Sequence, residues 1–210
     1  MTSLPRPTLV YLLIGVLSWP LMKLLFRYRV RGVEHLPRDG GYVLAANHNS
    51  NFDPWALGLG IFPRRFLRFM AKSELFWFPL GVFIRGAGAF RVRRGARDLE
   101  AMRTAEELAR NGHVIAMFPE GTRRRKGLRK TRRAEAHTGA ARIALAADVP
   151  LVPAAITGTD ALRRLARVSV LYGEPVRTDD LSDLDPSEAA RLATERLMER
   201  IAALEESLAR

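Results

Sequence analysis

The sequence predicts an α/β fold, in which a single domain holds a mixed, largely parallel central sheet flanked by helices and follows an N-terminal membrane-associating helical segment. Short apolar runs, typical of buried strands, alternate along the chain with segments of helical periodicity. The chain has 210 residues, 48% of them hydrophobic, which is enough to bury the core of one domain. We therefore divide it into the segment 1–27 and the domain 28–210, whose last part, 173–210, is an acidic helical end.

The first element is an apolar segment that we expect to associate with a membrane. Residues 7–22 carry no charge, and as a helix they would span about 24 Å, short of the ~30 Å hydrocarbon core of a bilayer. Pro20 weakens a straight span, and Arg27, Arg29 and Arg31 follow, as at a cytoplasmic headgroup surface. This favours a helix that enters one leaflet or lies in the interface, at the cytoplasmic face of the cell membrane. A buried helix of a soluble core is the alternative.

The strands of the domain are predicted from apolar runs and from alternation. Residues 28–33 alternate between polar and apolar positions, typical of a half-exposed strand, whereas 41–46 form a continuous apolar run, typical of a buried one. Similar runs predict strands at 113–118, 150–156 and 168–171, and residues 82–92 are rich in β-forming residues and glycine.

The helices are predicted from capping residues and periodicity. Asp53, directly before a proline, is typical of an N-cap and opens a helix that runs to about Ile61. Residues 185–188 form a capping box with proline at its second position, and they begin the last helix. Two further helices are predicted at 98–110 and 138–147.

The charge of the chain predicts a polyanionic partner. The 34 Lys and Arg exceed the 22 Asp and Glu by 12, which suits a nucleic acid, an anionic membrane or a phosphorylated substrate. Residues 1–172 carry 29 basic and 12 acidic side chains, whereas 173–210 carry 5 and 10. Thirty of the basic residues are arginines, which suit bidentate phosphate contacts, although a compositional bias of the whole proteome gives the same excess. The absence of cysteine excludes disulfides, a thiol nucleophile and cysteine-ligated metals.

The first motif that carries chemistry is Asn47-His48-Asn49-Ser50-Asn51-Phe52-Asp53, directly after a predicted buried strand. A histidine at a strand end and an acid at the start of the next helix can meet across the connecting loop. Asp53 would orient the imidazole of His48, whose other nitrogen would accept a proton from a hydroxyl group. The alternative is that Asp53 only caps its helix.

The second motif is Phe118-Pro119-Glu120-Gly121-Thr122-Arg123, at the end of another predicted buried strand. Gly121 can adopt a positive φ and expose backbone N–H groups, and Arg123 beside them would complete a phosphate site. An ordinary turn between a strand and a helix is the alternative.

Together the two motifs resemble those of the glycerolipid acyltransferases, in particular the 1-acylglycerol-3-phosphate (lysophosphatidate) acyltransferase branch. Residues 88–94, GAFRVRR, are similar to the second block of that family, and 149–156, VPLVPAAI, to its fourth. The stretch 71–75, AKSEL, resembles the family's lysine-bearing segment. These blocks occur in the family's order within residues 28–172. One departure is Arg91, which stands where that block often carries an apolar residue or proline.

The resemblance implies a transfer of an acyl group in which His48 is the general base and Asp53 its partner. The acceptor hydroxyl would attack the thioester of acyl-CoA or acyl carrier protein directly, without an acyl-enzyme. The acceptor phosphate and glycerol would be bound by residues of the motifs and by the lysine: Arg94, Glu120, Gly121, Thr122, Arg123 and Lys72. Neither a metal nor a cofactor is implied, since the thioester is a co-substrate.

Eight of the eleven residues at 123–133 are basic, a composition that also occurs in segments that bind nucleic acid. The segment lacks interleaved aromatic residues, and no helix-turn-helix or RNA-binding pattern accompanies it, so we expect no nucleic-acid partner. The family resemblance instead places this loop beside the site at an anionic membrane surface, while a solvated loop is the alternative. His35, His113 and His137 lack the spacing of metal ligands and are expected to be structural.

The sequence thus predicts a membrane-associated enzyme that acylates the sn-2 hydroxyl of lysophosphatidate, with phosphatidate as product. The same machinery acting on another acceptor, such as an ornithine lipid, a glycolipid or another lysophospholipid, is the first alternative. A non-catalytic basic protein that binds lipid or nucleic acid, and an inactive relative with a scaffold role, are the others.

Overall fold

The computed structural model describes residues 5–92, 99–121 and 136–210, which form one α/β domain around a seven-stranded sheet. The strand order is β1-β7-β6-β2-β5-β3-β4. All neighbouring strands are parallel except β6 and β7, so the predicted mixed, largely parallel sheet is confirmed. The strands are β1 Arg29–Arg31, β2 Tyr42–Ala46, β3 Leu67–Lys72, β4 Ala89–Val92, β5 Val114–Met117, β6 Leu151–Thr157 and β7 Ser169–Tyr172.

Helices cover both faces of the sheet. The α-helices are α1 Leu9–Phe26, α2 Asp53–Ile61, α3 Leu80–Gly86, α4 Leu99–Arg110, α5 Gly139–Ala147 and α6 Pro186–Ala209. Helices α4, α5 and α6 bury their alanine-rich sides against one face, together with Val43 and Ala45 of β2. Helix α2 and Met22 of α1 pack on the other face, against Leu44 and Ala46. Alternate residues of β2 therefore enter two different cores, which explains its continuous apolar run.

Two elements differ from the sequence prediction. Strand β3 was not predicted, because its apolar residues are bracketed by Arg68 and Lys72 and it is only partly buried. Residues 82–92, expected to be β-rich throughout, contain the end of α3 before β4 begins at Ala89. Val82, Phe83 and Ile84 have high strand propensity, which the tertiary context overrides.

Helix α1 buries only a narrow stripe of its surface. Tyr11, Gly15, Ser18 and Met22, spaced three or four residues apart, face the domain, and Trp55 of α2 donates a hydrogen bond to the Ser18 hydroxyl at 3.1 Å. Among the described residues, α1 is the one helix long and apolar enough to cross a membrane by length and composition, and only 17% of it is buried. A helix buried in the core of a soluble domain, the alternative interpretation of this segment, would be far less exposed.

Helix α3 extends the exposed apolar area of α1. It contacts α1, where the Thr8 hydroxyl donates to the Gly86 carbonyl at 2.5 Å. We call the combined area the α1/α3 apolar surface; its exposed members are Leu9, Leu13, Val16, Leu17, Leu21, Leu24, Trp77, Phe78, Val82 and Phe83. An exposed apolar area of this kind on a folded domain marks a contact with a membrane or a partner.

Buried tyrosines hold α2 in place. The hydroxyl of Tyr28, directly before β1, donates to the Ala56 carbonyl at 2.6 Å, and that of Tyr172, in β7, donates to the Leu57 carbonyl at 2.7 Å. A Cβ atom on Gly60 would lie 2.2 Å from the Tyr172 hydroxyl oxygen. The close contact between α2 and the sheet therefore requires glycine at this position.

We expect Gly60→Ala to destabilise the protein by about 1–3 kcal/mol, because the added methyl group displaces a buried, hydrogen-bonded tyrosine. Gly139→Ala is the matched control. Gly139 also lies in a helix, but a Cβ atom there would be no closer than 3.6 Å to its nearest neighbours. Alanine also has a higher helix propensity than glycine. Thermal unfolding followed by circular dichroism compares the two, and equal midpoints would contradict this account of the α2 contact.

Candidate active site

The candidate site lies where parallel strands end. Strands β2, β5 and β3 are neighbours in the sheet, and their carboxyl ends lead into His48, into the turn at Glu120 and Gly121, and into Lys72. Because the strands are parallel, these three segments meet at one edge of the sheet, which is the usual place of a ligand site in an α/β fold. The fold thus brings together residues separated by more than 70 positions in the chain.

His48 and Asp53 form a hydrogen-bonded pair, as predicted. Nδ1 of His48 lies 2.8 Å from Oδ2 of Asp53, and the Asp53 side chain is fully buried, whereas the His48 side chain is 18% exposed. An ionised carboxylate can only accept hydrogen bonds, so Nδ1 carries the proton in the neutral imidazole. Nε2 is then the nitrogen with a free lone pair. Within the described parts of the chain, no residue donates a hydrogen bond to Nε2.

The expectation that Asp53 caps α2 is wrong. The N-cap is Phe52, and Asp53 is the first helical residue. Its Oδ2 accepts hydrogen bonds from the backbone N–H groups of Asn49 and Ser50, at 2.7 and 2.8 Å, so the carboxylate faces back into the preceding loop. Oδ1 accepts the Thr159 hydroxyl at 2.5 Å. Four donors therefore saturate one buried carboxylate and fix the position of His48.

Two asparagines attach the His48 loop to strand β6. The Asn47 side chain donates to the Ile156 carbonyl at 2.9 Å and accepts from the Ile156 N–H at 2.8 Å, and Asn49 donates to the same carbonyl. The ring of Phe118 stacks on the imidazole of His48, with centroids 4.2 Å apart and planes 20° apart. The second motif thus packs directly against the first.

The turn of the second motif depends on glycine. Gly121 has a φ of +67°, and its N–H donates to the Phe118 carbonyl at 2.9 Å. The N–H of His137 donates to the Pro119 carbonyl at 2.8 Å, and a Cβ atom on Gly121 would lie 2.4 Å from the His137 ring. Conformation and space therefore both exclude a side chain at position 121.

The structure describes only some of the other predicted site residues. Lys72 is exposed at the end of β3, and Glu120 is half-buried in the turn. Arg94, Thr122, Arg123 and the basic segment 123–133 lie outside the described residues. Residues 5–92, 99–121 and 136–210 contain no group of three or more His, Asp or Glu placed to hold a metal.

Sequence reasoning missed three contributors to the site: Thr159, Asn47 as a bridge to β6, and His137 against the turn. Thr159 and Ile156 are more than 100 residues from their partners, so no local pattern predicts those contacts. The other histidines lie apart from the His48 pair. Nδ1 of His35 is 3.2 Å from the Tyr172 carbonyl, and the ring of His113 packs edge-on against Phe66.

Comparison with known proteins agrees with this geometry. The family model described as Acyltransferase matches residues 27–157. A 1-acyl-sn-glycerol-3-phosphate acyltransferase of Bacillus subtilis is 34% identical over 86% of this chain and 89% of its own length. A protein of the same name from Streptococcus pneumoniae is 31% identical over 70% of this chain, which spans 54% of that protein.

A solved structure supports the same assignment. The crystal structure of the 1-acyl-sn-glycerophosphate (LPA) acyltransferase PlsC from Thermotoga maritima is similar with a TM-score of 0.67 and 29% identity, over 94% of this chain and 79% of that one. The family resemblance noted in the sequence is thereby confirmed. The chain belongs to the acyltransferase family and is an acyltransferase of the 1-acylglycerol-3-phosphate type.

Proposed function

We propose that the protein transfers a fatty acyl group from acyl-CoA or acyl carrier protein to the sn-2 hydroxyl of lysophosphatidate, with His48 as general base and phosphatidate as product. The observation that carries the proposal is the His48–Asp53 pair at 2.8 Å, in which the only solvent-accessible member is the imidazole. The names of the relatives from Bacillus subtilis and Streptococcus pneumoniae supply the class of acceptor.

In this reaction one proton must leave the acceptor hydroxyl and reach the departing thiolate. Nε2 of His48 takes the proton of the acceptor hydroxyl as its oxygen attacks the thioester carbon. The carbon–oxygen bond forms, the carbon–sulfur bond breaks, and the imidazolium returns the proton to the departing thiolate. Asp53 stabilises the imidazolium in between, because its carboxylate is already held against Nδ1. No covalent acyl-enzyme is required.

The acceptor phosphate is assigned to the second motif and to residues near it. Gly121 fixes the turn of the second motif through its positive φ, and Lys72 lies at the same edge of the sheet, at the end of β3. By the family resemblance, Arg94, Thr122 and Arg123 contribute the remaining donors. A guanidinium group binds a phosphate in a bidentate manner, so arginine suits this role better than lysine.

We also infer that the α1/α3 apolar surface associates with the membrane that carries the acceptor. The sequence places Arg27, Arg29 and Arg31 directly after α1, where they would meet anionic headgroups at the cytoplasmic face. Lysophosphatidate is amphipathic, so a site beside a membrane-bound surface receives it without passage of its acyl chain through water.

The catalytic role of His48 is tested by measuring thiol release from acyl-CoA in the presence of lysophosphatidate. We expect His48→Ala to lower the rate by at least about 100-fold, since a positioned general base contributes 10²- to 10⁴-fold. His35→Ala, at an exposed histidine elsewhere, is the control and should stay within about twofold of the wild type. A His48→Ala enzyme with full rate on every acceptor would refute the mechanism. A wild type that prefers an ornithine lipid, a glycolipid or another lysophospholipid would reassign the acceptor.

Thr159 is expected to act through Asp53 as a positioning residue. Thr159→Val leaves one oxygen of a buried carboxylate without its donor, and we expect a loss of about tenfold in kcat with little change in KM. The pH–rate profile should shift as well, because the partner of the His48 imidazole is altered. Thr159→Ser should restore the rate. Thr194→Val, at a buried hydroxyl bonded to the Ala190 carbonyl in α6, is the control. A pH profile unchanged from the wild type would contradict the role.

Membrane association is tested with a triple variant of α1, Leu9→Gln, Leu13→Gln and Leu17→Gln. These side chains are exposed, so the variant keeps the packed stripe of α1 but loses apolar surface. We expect it to sediment with phosphatidylglycerol vesicles at least tenfold less than the wild type. The matched control replaces three exposed leucines elsewhere, Leu99, Leu165 and Leu184, by glutamine. Equal sedimentation of both variants would exclude α1 as the anchor.

A further inference from the structure

A cavity of about 460 Å³ lies between the edge strand β4, helix α4 and the segment around α3, outside the site described above. Arginines from three different elements line it: Arg68 of β3, Arg85 of α3 and Arg91 of β4. Its remaining polar side chains are Glu100 and Thr104 of α4. The described lining of the cavity thus carries three positive charges and one negative charge.

The described part of the chain supplies these three arginines with little counter-charge. Among the described residues, none of the three forms an ion pair, although Glu100 lines the same cavity. Nε of Arg68 is buried without a hydrogen-bond partner, and burial lowers the pKa of this guanidinium. The guanidinium carbons of Arg85 and Arg91 lie 5.8 and 5.1 Å from the centre of the Phe76 ring, so both groups contact the same aromatic side chain. Uncompensated charge of this kind is stabilised by an anion.

The cavity borders the α1/α3 apolar surface. Arg85 belongs to α3, as do the exposed Val82 and Phe83, and Phe76 immediately precedes the exposed Trp77 and Phe78. Cations therefore stand at the rim of an apolar surface, in the arrangement that receives the headgroup of a lipid whose chains follow the apolar side chains. A binding site for a soluble nucleotide would not need an adjacent apolar surface.

The cavity is separate from the His48–Asp53 pair, although Arg91 pairs with Ala71, the neighbour of Lys72. In the sheet, β4 is three strands away from β2, a distance of about 14 Å at 4.7–4.9 Å for each strand. Arg91 is also the one departure from the family pattern in the block 88–94.

We propose that the cavity of Arg68, Arg85 and Arg91 binds the phosphate of an anionic phospholipid at a second, non-catalytic site. The proposal rests on the membrane association argued under the proposed function. A lipid held there fixes the face that α3 presents to the membrane. The affinity of the site comes from charge-assisted hydrogen bonds between guanidinium groups and phosphate oxygens.

The test titrates dihexanoyl phosphatidate, below its micellar concentration, into the full-length protein in an uncharged maltoside detergent, followed by calorimetry. The double variant Arg85→Gln/Arg91→Gln should bind one phosphatidate fewer per chain, or bind it at least tenfold more weakly. The control Arg191→Gln/Arg200→Gln removes two exposed arginines of α6 and should match the wild type. Parallel titrations use dihexanoyl phosphatidylcholine, inorganic phosphate and coenzyme A.

The outcomes separate this proposal from the proposed function. The Arg85/Arg91 variant should still release thiol with lysophosphatidate within about twofold of the wild type, so loss of lipid binding with activity intact supports a second site. Unchanged phosphatidate binding in that variant, or an equal loss in the α6 control, overturns it. A variant that loses affinity for coenzyme A but not for phosphatidate also overturns it, because the cavity then serves a soluble phosphate. A wild type without acyl transfer would refute the proposed function and leave the binding result valid.

Discussion

The buried carboxylate of Asp53 is the interaction on which the site depends. A carboxylate without solvent exposure is costly unless hydrogen bonds replace its water shell. Here the donors come from the His48 ring, two backbone amides of the loop and the Thr159 hydroxyl. The carboxylate also lies in the first turn of α2, where the helix dipole favours negative charge. Each donor that stabilises Asp53 also restrains the imidazole, so the stability of this region and the geometry of catalysis have one cause.

The sheet supports that carboxylate through α2. Tyr28, directly before β1, and Tyr172, in β7, lie at the edge of the sheet opposite to β4, and both donate to carbonyl groups of α2. A second connection runs through β6, since Asn47 binds the backbone of Ile156 and Thr159 follows the same strand. The His48 loop is therefore fixed from its helix and from its neighbouring strand at once. A general base needs such preorganisation, because small displacements of a reacting group cost large factors in rate.

Local sequence patterns predicted much of this structure, and long-range contacts account for what they missed. Continuous apolar runs predicted β2, β5 and β6, because strands buried on both faces leave no other pattern. Asp185 predicted the start of α6, where it accepts the N–H of Ser187, because a cap acts within one turn. Strand β3 was missed because it is half-buried, with Arg68 turned to a cavity that only the fold creates. Asp53 satisfied the local rule for a cap, but its carboxylate instead accepts the N–H groups of Asn49 and Ser50 and, over 106 positions, the Thr159 hydroxyl.

The uneven charge of the sequence becomes an uneven charge distribution over the two faces of the folded domain. Helix α6, in the acidic end 173–210, packs on the face of the sheet that α4 and α5 cover, whereas α1 and α2 cover the opposite face. The basic residues Arg27, Arg29 and Arg31 follow α1 directly, Arg85 lies in α3, and Arg91 lies in the strand after it. An anionic membrane would therefore attract the α1 side and repel the α6 side, so that electrostatics orients the domain before any apolar side chain inserts. In such a contact the apolar surface would supply the affinity and the charge distribution the orientation, so a chain of net charge +12 with an acidic helix could bind in one orientation only.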